Sequence, residues 1–158
     1  MKKNLLKNKL FYYFYKVLKI YRNKKPSLHF GEFGEDIFIN RIFKDKKNGK
    51  YIDVGCYHPF KGSLTAKLYK KNWDGVNIDL SKTSIDLFNI ARPKDININC
   101  AISNFSGDTH YFENSPINQQ NSLISNQEGK NKIKIKSYTL DDIISLKNIH
   151  KVDYINID

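Results

Sequence analysis

The run Tyr51-Ile52-Asp53-Val54-Gly55-Cys56-Tyr57-His58-Pro59 is an aliphatic segment closed by a glycine turn, and Gly75-Val76-Asn77-Ile78-Asp79 is a second such segment tipped by a carboxylate. A strand, a glycine turn, a helix and a second strand ending in an acid about 20 residues on is how an α/β sheet holds a ribose-bearing cofactor. The glycine lets backbone approach the ligand, and the carboxylate accepts hydrogen bonds from a ribose diol. Each residue also has a plainer reading. Gly55 alone could close an ordinary tight turn, and Asp79 alone could face solvent or cap a helix, with Ser81 and Thr83 just after it. Their spacing favours the cofactor.

A full dinucleotide fingerprint has three glycines, which seat a pyrophosphate on a helix N-terminus. Here Gly55 is followed by Cys56, Tyr57, His58, Pro59, Phe60 and Lys61, so side chains stand where a pyrophosphate needs bare backbone. A nucleoside cofactor without phosphate at that point is accommodated better, and S-adenosyl-L-methionine is the cofactor that fits. The rival enzyme is an NAD-dependent oxidoreductase fragment, again with Asp79 on a ribose. A third reading, of a different class, is a non-catalytic remnant or interaction module that keeps the fold. Methyl transfer is chiefly a matter of aligning donor and acceptor, and a hydroxyl acceptor also needs a base. His58 is the candidate base by intrinsic pKa. Against it stands the reading that a histidine beside Pro59 braces its own turn. Asp158 and Glu35 are the rival acids, while His29, His110 and His150 are expected at the surface.

The elements that must position these residues follow from periodicity and turn chemistry. Helical patterns cover 3–22, 34–43, 63–71 and 83–90, and strands cover 50–54, 76–80, 96–102, 107–113, 133–137 and 152–158. Glu35 and Asp36 sit in the first turn of their helix, where the dipole favours acids. Thr139 followed by Asp141 and Asp142 opens a short helix by capping. Arg92-Pro93 ends another. Residues 114–130, rich in Asn, Gln and Ser, are expected as a surface loop. Strands alternating with helices predict an α/β fold, a Rossmann-like three-layer sandwich around a mostly parallel sheet. Ligands in such sheets bind beyond the carboxyl ends of the strands. Those ends are Asp53 to His58, Asp79-Leu80-Ser81, Ala101-Ile102-Ser103 and Asp158. Because the chain stops at the tip of a strand, the domain is expected to be truncated.

Composition narrows the setting. The chain of 158 residues is long enough for one domain with a core, and its formal net charge is +11. That charge is concentrated: residues 1–25 hold Lys2, Lys3, Lys7, Lys9, Lys16, Lys19, Arg22, Lys24 and Lys25 and no acid. The division expected is a basic amphipathic helix over residues 1–27 and the methyltransferase-like domain over 28–158. The helix suits peripheral contact with an anionic membrane, or else it packs on the sheet or a partner with its lysines in water. Aliphatic and aromatic residues interleave the bases, which speaks against a nucleic-acid partner. Cys56 and Cys100, the only cysteines, make no disulfide framework and suit a reduced, cytoplasmic setting. No Cys/His cluster suggests a metal.

Several segments, taken in order, resemble the FkbM-type methyltransferases. They are Gly31-Glu32-Phe33-Gly34-Glu35-Asp36, the run from Tyr51 to Pro59, Leu68-Tyr69 with Trp73 to Asp79, Arg92-Pro93, Asn99 to Ser103, Thr139-Leu140-Asp141 and Asp153 to Asp158. The resemblance covers roughly residues 30–158. It implies a class I S-adenosylmethionine-dependent fold and O-methylation of a hydroxyl, often on a saccharide or glycan. Carried over by position, it sets Asp53 and Gly55, Cys56, Tyr57 and His58 at the methionine end of the cofactor and Asp79 on the ribose. It sets Ala101, Ile102 and Ser103 beside the adenine, Asp158 near the transferring methyl, and Glu35 and Asp36 over the site. This chain departs from the family's pattern with Leu64 inside Ser63-Leu64-Thr65, with Asn72, and with Asp79-Leu80 where the family has Glu-Pro.

Overall fold

The computed structural model describes residues 9–22, 28–113 and 131–158. In chain order its elements are helix α1 (Lys9–Arg22), helix α2 (Glu35–Ile42), strand β1 (Lys50–Val54), helix α3 (Ala66–Lys70), strand β2 (Asp74–Asp79) and helix α4 (Lys82–Ala91). Strands β3 (Ile96–Asn99), β4 (Ala101–Ile102), β5 (Gly107–Glu113) and β6 (Asn131–Tyr138) follow, then helix α5 (Leu140–Leu146) and strand β7 (Tyr154–Ile157). The chain is an α/β protein with a parallel four-stranded sheet, order β3-β2-β1-β7, and a mixed three-stranded sheet, order β4-β6-β5.

Strand β1 lies in the interior of the larger sheet. Asp53 is paired with Asn77 of β2 and Asn156 of β7, and Val54 with Ile78 and Ile157. Successive side chains of a strand alternate between faces, and here the two faces differ in chemistry. One carries Ile52, Val54, Val76 and Ile78 and packs on Ile143 and Ile144 of α5. The other carries Tyr51, Asp53 and Asn77. Leu68 of α3, Ile39 of α2 and Trp73 pack on Tyr51. Helices therefore cover both faces, as a parallel sheet requires.

The polar face is held by a buried arginine. Arg92, at the end of α4, is fully buried. Its Nη1 donates to Thr65 Oγ1 at 2.8 Å and to the Tyr51 hydroxyl at 3.5 Å. Its Nη2 donates to Ser63 Oγ at 2.8 Å and to the Pro59 carbonyl. The guanidinium lies between the rings of Phe88, 4.8 Å away, and Tyr69, 5.5 Å away. Two buried acids flank it through bridging hydroxyls. The Thr65 hydroxyl donates to Asp53 at 2.6 Å, and Tyr51 donates to Asp95. Burial pushes the Tyr51 phenol up, so it stays protonated and able to donate. Asp95 also accepts from Gly75 N at 3.0 Å and Asn77 Nδ2 at 2.8 Å. Buried polar groups in a parallel sheet are costly unless paired, and this chain of bonds pairs most of them, leaving Arg92 Nε and Asn77 Oδ1 without a partner among the described residues.

Several boundaries differ from the sequence expectation. The helix expected at 63–71 begins only at Ala66, because Ser63 and Thr65 turn inward to Arg92. The strand expected at 96–102 breaks at Cys100: Ile96–Asn99 pairs with β2, and Ala101–Ile102 crosses to pair with β6. Of the helix expected at 3–22, residues 3–8 lie outside the described residues, as does the loop expected at 114–130. Helix α1 is not a free arm. It docks on α4, with the Tyr12 hydroxyl 3.3 Å from both Thr83 Oγ1 and Asp86 Oδ2 and with Lys16 paired to Asp86 at 3.7 Å. The caps expected around Thr139 are present, with Thr139 Oγ1 accepting from Asp142 N at 3.1 Å.

Replacing Arg92 should expose how much of the fold leans on it. Arg92→Met keeps apolar bulk but strands the hydroxyl and carbonyl acceptors and unbalances two acids. The urea midpoint is expected to fall by an amount equivalent to about 3–5 kcal/mol. Lys82→Met, which removes the exposed i,i+4 pair with Asp86, is expected to cost about 0.5 kcal/mol or less. Equal effects from the two variants would contradict the role given to Arg92.

Candidate functional site

The carboxyl ends of β1, β2 and β7 meet around one turn. Gly55 N and Cys56 N both donate to Ile78 O, at 2.9 and 3.2 Å, which carries the β1–β2 ladder past the end of β1. The chain then bends sharply. Gly55 has φ +75° and Tyr57 has φ +51°, and His58 N closes a three-residue turn on Cys56 O at 2.6 Å. A tyrosine in the left-handed region is strained by roughly 1 kcal/mol or more and needs support from its surroundings. Asp79 gives that support, because its Oδ2 accepts from Tyr57 N at 2.8 Å. Its Oδ1 accepts from Ser81 N at 2.7 Å. Gly55 is also required by space, since a Cβ there would lie 2.6 Å from the Asp158 carbonyl oxygen.

So the turn at Gly55 and the acid at Asp79 stand side by side on adjoining parallel strands. Asp79 does not cap α4; Ser81 does, its hydroxyl accepting from Ser84 N at 3.3 Å. Each Asp79 oxygen has one internal donor, and a carboxylate oxygen takes about two, so capacity for a further hydroxyl remains. Burial raises the Asp79 pKa, and the two backbone N–H groups oppose that rise.

Beside the turn lies a cleft of about 250 Å³, a little below the roughly 300–1,000 Å³ of small-molecule sites. Its wall brings together Asp53, Gly55, Cys56, Tyr57, Glu35 and Asp158 from the expected set. It adds Glu32, Phe33, Gly62, Ser63, Leu64, Asn156 and Ile157, which were not assigned to the site from sequence. Among the described residues carboxylates dominate the charge: Glu32, Glu35, Asp53 and Asp158 line the cleft, and no described lysine or arginine does. Asp53 is fixed from both sides, Oδ1 accepting from Asn156 Nδ2 at 3.0 Å and Oδ2 from Thr65. Burial raises its pKa against those bonds and against Arg92. Cys56 is a neutral wall residue, since burial and the nearby Asp79 and Asp53 push its thiol up. Glu35 Oε2 holds the Phe33 N–H at 3.1 Å. Asp36, in contrast, is buried on the Phe30 and Gly31 N–H groups, with Lys67 3.5 Å away, and braces the loop instead of lining the cleft.

Several sequence expectations are corrected: Asp79 and Ser81 stand beside the cleft and do not line it, Ser81 being buried as the cap of α4. His58 does not line the cleft. Its Nδ1 accepts from Phe60 N at 3.1 Å and Lys61 N at 3.0 Å, so the proton is on Nε2. That atom is buried against the Lys19 backbone of α1 with no hydrogen bond of ordinary geometry. Burial, with Lys19, Lys61 and Arg92 near, lowers the His58 pKa to about 4. It is a turn-bracing residue, not a base facing a substrate. Ala101, Ile102 and Ser103 are also drawn away from the cleft. Ala101 and Ile102 pair with β6, Ser103 N donates to Tyr138 O at 3.0 Å, and Ser103 Oγ meets Ser137 Oγ at 2.9 Å. Leu80 packs with them, against the Ala101, Tyr111 and Ile135 cluster.

The neutral His58 has a consequence for stability. The unfolded histidine titrates near 6.5 and the folded one near 4, so its share of stability is present above pH 6.5 and is lost as pH falls toward 4. The loss is on the order of 3 kcal/mol. Asp53, Asp79 and Asp95, raised by burial, act in the opposite sense, favouring the fold below about pH 4 and weakening it as pH rises through their folded values. The comparison with His58→Asn isolates the histidine, because the asparagine oxygen can take the place of Nδ1 without titrating. Thermal melts between pH 4 and 7 are expected to fall less steeply for the variant than for the wild type, and parallel curves would contradict the assignment.

No protein-family model, no curated protein and no solved structure matches this chain.

Proposed function

We propose that the chain carries the cofactor-binding part of a class I S-adenosyl-L-methionine-dependent O-methyltransferase, acting on a hydroxyl of a saccharide or glycan. The observation that carries this reading is the meeting of the Gly55 turn with Asp79, joined by the 2.8 Å bond from Tyr57 N. The charge of the cleft supports it further. Among the described residues its wall has Glu32, Glu35, Asp53 and Asp158 and no cation. A wall of that sign attracts a sulfonium and an ammonium group and repels a pyrophosphate, which weighs against NAD. The saccharide class rests on the resemblance to FkbM-type methyltransferases alone.

The residues present suit the cofactor. When bound, it supplies a methyl group on a positively charged sulfur. Asp79 accepts hydrogen bonds from the ribose with the capacity its backbone donors leave. The Gly55-Cys56-Tyr57 turn offers a close backbone approach. Asp53 supplies negative charge from a position locked by Thr65 and Asn156. Glu35 and Asp158, exposed acids of the wall as Glu32 also is, are the groups assigned to take the proton of the acceptor hydroxyl as its oxygen gains the methyl group and the sulfur keeps the bonding pair. Buried Arg92 acts at one remove, by holding Ser63 of the cleft wall and by holding Thr65, which in turn bonds Asp53.

Isothermal titration with S-adenosylhomocysteine and with NAD tests the proposal. Heat is expected with the first and none with the second. Asp79→Ala is expected to weaken S-adenosylhomocysteine binding by about 1–3 kcal/mol, with circular dichroism confirming that the variant stays folded. Heat with NAD alone would overturn the methyltransferase reading. Silence with both ligands from the folded chain would favour a non-catalytic module, and unchanged affinity in the variant would remove Asp79 from the site.

A further inference from the structure

Among the described residues, helix α1 meets α4 along one side. Tyr12, Lys16 and Ile20, spaced at four residues, form that side, with Ile20 buried and the other two bonded to Thr83 and Asp86. At about 100° per residue, Leu10, Phe14 and Leu18 fall on the opposite side. There Leu10 is 79%, Phe14 58% and Leu18 48% exposed. Large apolar side chains at that spacing need an apolar contact.

The surroundings of this stripe are cationic. Residues 1–25 hold nine bases and no acid. At the far end of α1, Lys19 lies close enough to Arg22 and Lys61 to be disfavoured by their charge. Burial first, and then those two cations, lower its pKa to about 8. Among the described residues, none of the three forms a salt bridge with an acid. Such a cluster is relieved by an external anion.

We propose that the outer side of α1 seats the protein on an anionic lipid bilayer, with Phe14 and Leu18 entering the acyl boundary and Arg22 and Lys61 meeting headgroup phosphates. The combination selects the partner. A hydrocarbon layer beneath negative headgroups satisfies both the stripe and the bases. A second copy of α1 would cover the stripe but set one basic helix against another. A nucleic acid would satisfy the bases but leave Phe14 and Leu18 in water. The placement also has a geometric sense. Tyr12 contacts Thr83 in the first turn of α4, and Lys19 abuts His58 in the turn that follows Gly55. A bilayer held on α1 therefore lies on the side of the domain that carries α4 and the His58 turn. The inference does not depend on which cofactor the cleft takes.

Flotation of the full chain with vesicles tests it, using phosphatidylcholine alone and phosphatidylcholine mixed with phosphatidylglycerol. Binding is expected only to the mixed vesicles and is expected to weaken with added salt. Arg22→Gln and Lys61→Gln should each lower the partition coefficient about fivefold. Phe14→Ser combined with Leu18→Ser should lower it about tenfold or more. These side chains are exposed, so circular dichroism and melting of the variants should match the wild type. Equal binding to neutral and anionic vesicles, or no binding to either, would overturn the proposal. So would variants that bind as the wild type does. Sedimentation that shows a dimer lost on Phe14→Ser with Leu18→Ser would also overturn it and assign the stripe to a second copy.

Discussion

A guanidinium buried against two aromatic rings has to find its compensation in the protein. In this chain Arg92 finds it by gathering the loop after the Gly55 turn: the Pro59 carbonyl, Ser63 and Thr65 all converge on it. The charge is balanced on either side by Asp53 and Asp95, each one hydroxyl away. Desolvation would make either acid or the arginine costly alone, and together they form a set in which each member's burial depends on the others. The result is that the polar face of the sheet is as specified as the apolar one. Asp53 is at once the end of this network and a wall of the cleft, so the site inherits its rigidity from the core.

The strand tips show a second economy of parts. Asp79 is the acid that the proposed function assigns to a ribose, and it is what holds Tyr57 in a left-handed conformation. Asp79 stands behind the turn, beside the cleft and outside its wall, and its bond to Tyr57 N holds whether or not a ligand is there. The turn and the acid are therefore set in position beforehand, which lowers the ordering cost of binding. The acidic wall around them has the opposite sign from the chain as a whole. A net charge of +11 and a cleft lined by four carboxylates coexist because the bases are concentrated in the first 25 residues and on outer surfaces.

Strand positions were legible in the sequence where aliphatic runs ended in turn residues. Residues 50–54 were found at their observed bounds, and the neighbouring β2 and α4 within two residues. The joining of Gly55 and Asp79 was legible too, because parallel pairing of adjacent strands brings their carboxyl ends together. Cys100 hid the break in the third strand: Ile96-Asn97-Ile98-Asn99-Cys100-Ala101-Ile102 keeps its alternation straight through, while the pairing partner changes. His58 misled because intrinsic pKa says nothing of direction, and its ring points into α1. Arg92 gave little warning, since an arginine before a proline looks like a helix end. The signal that could have found it is the run of Asp53, Asn77 and Asp95 in segments otherwise destined for burial, which calls for a buried cation nearby.

The passage of the chain from one sheet to the other through a lone residue has a mechanical consequence. Asn99 ends the parallel sheet, Ala101 begins the mixed one, and buried Cys100 alone separates them. Asn99 Nδ2 further clasps the Asp79 and Leu80 carbonyls, at 2.9 and 2.8 Å. With so short a coupling there is no slack for one sheet to swing against the other. A push on the β5–β6 hairpin is delivered to the end of β2 as a displacement of the same backbone, so whatever grips the hairpin also pulls on the seat of Asp79.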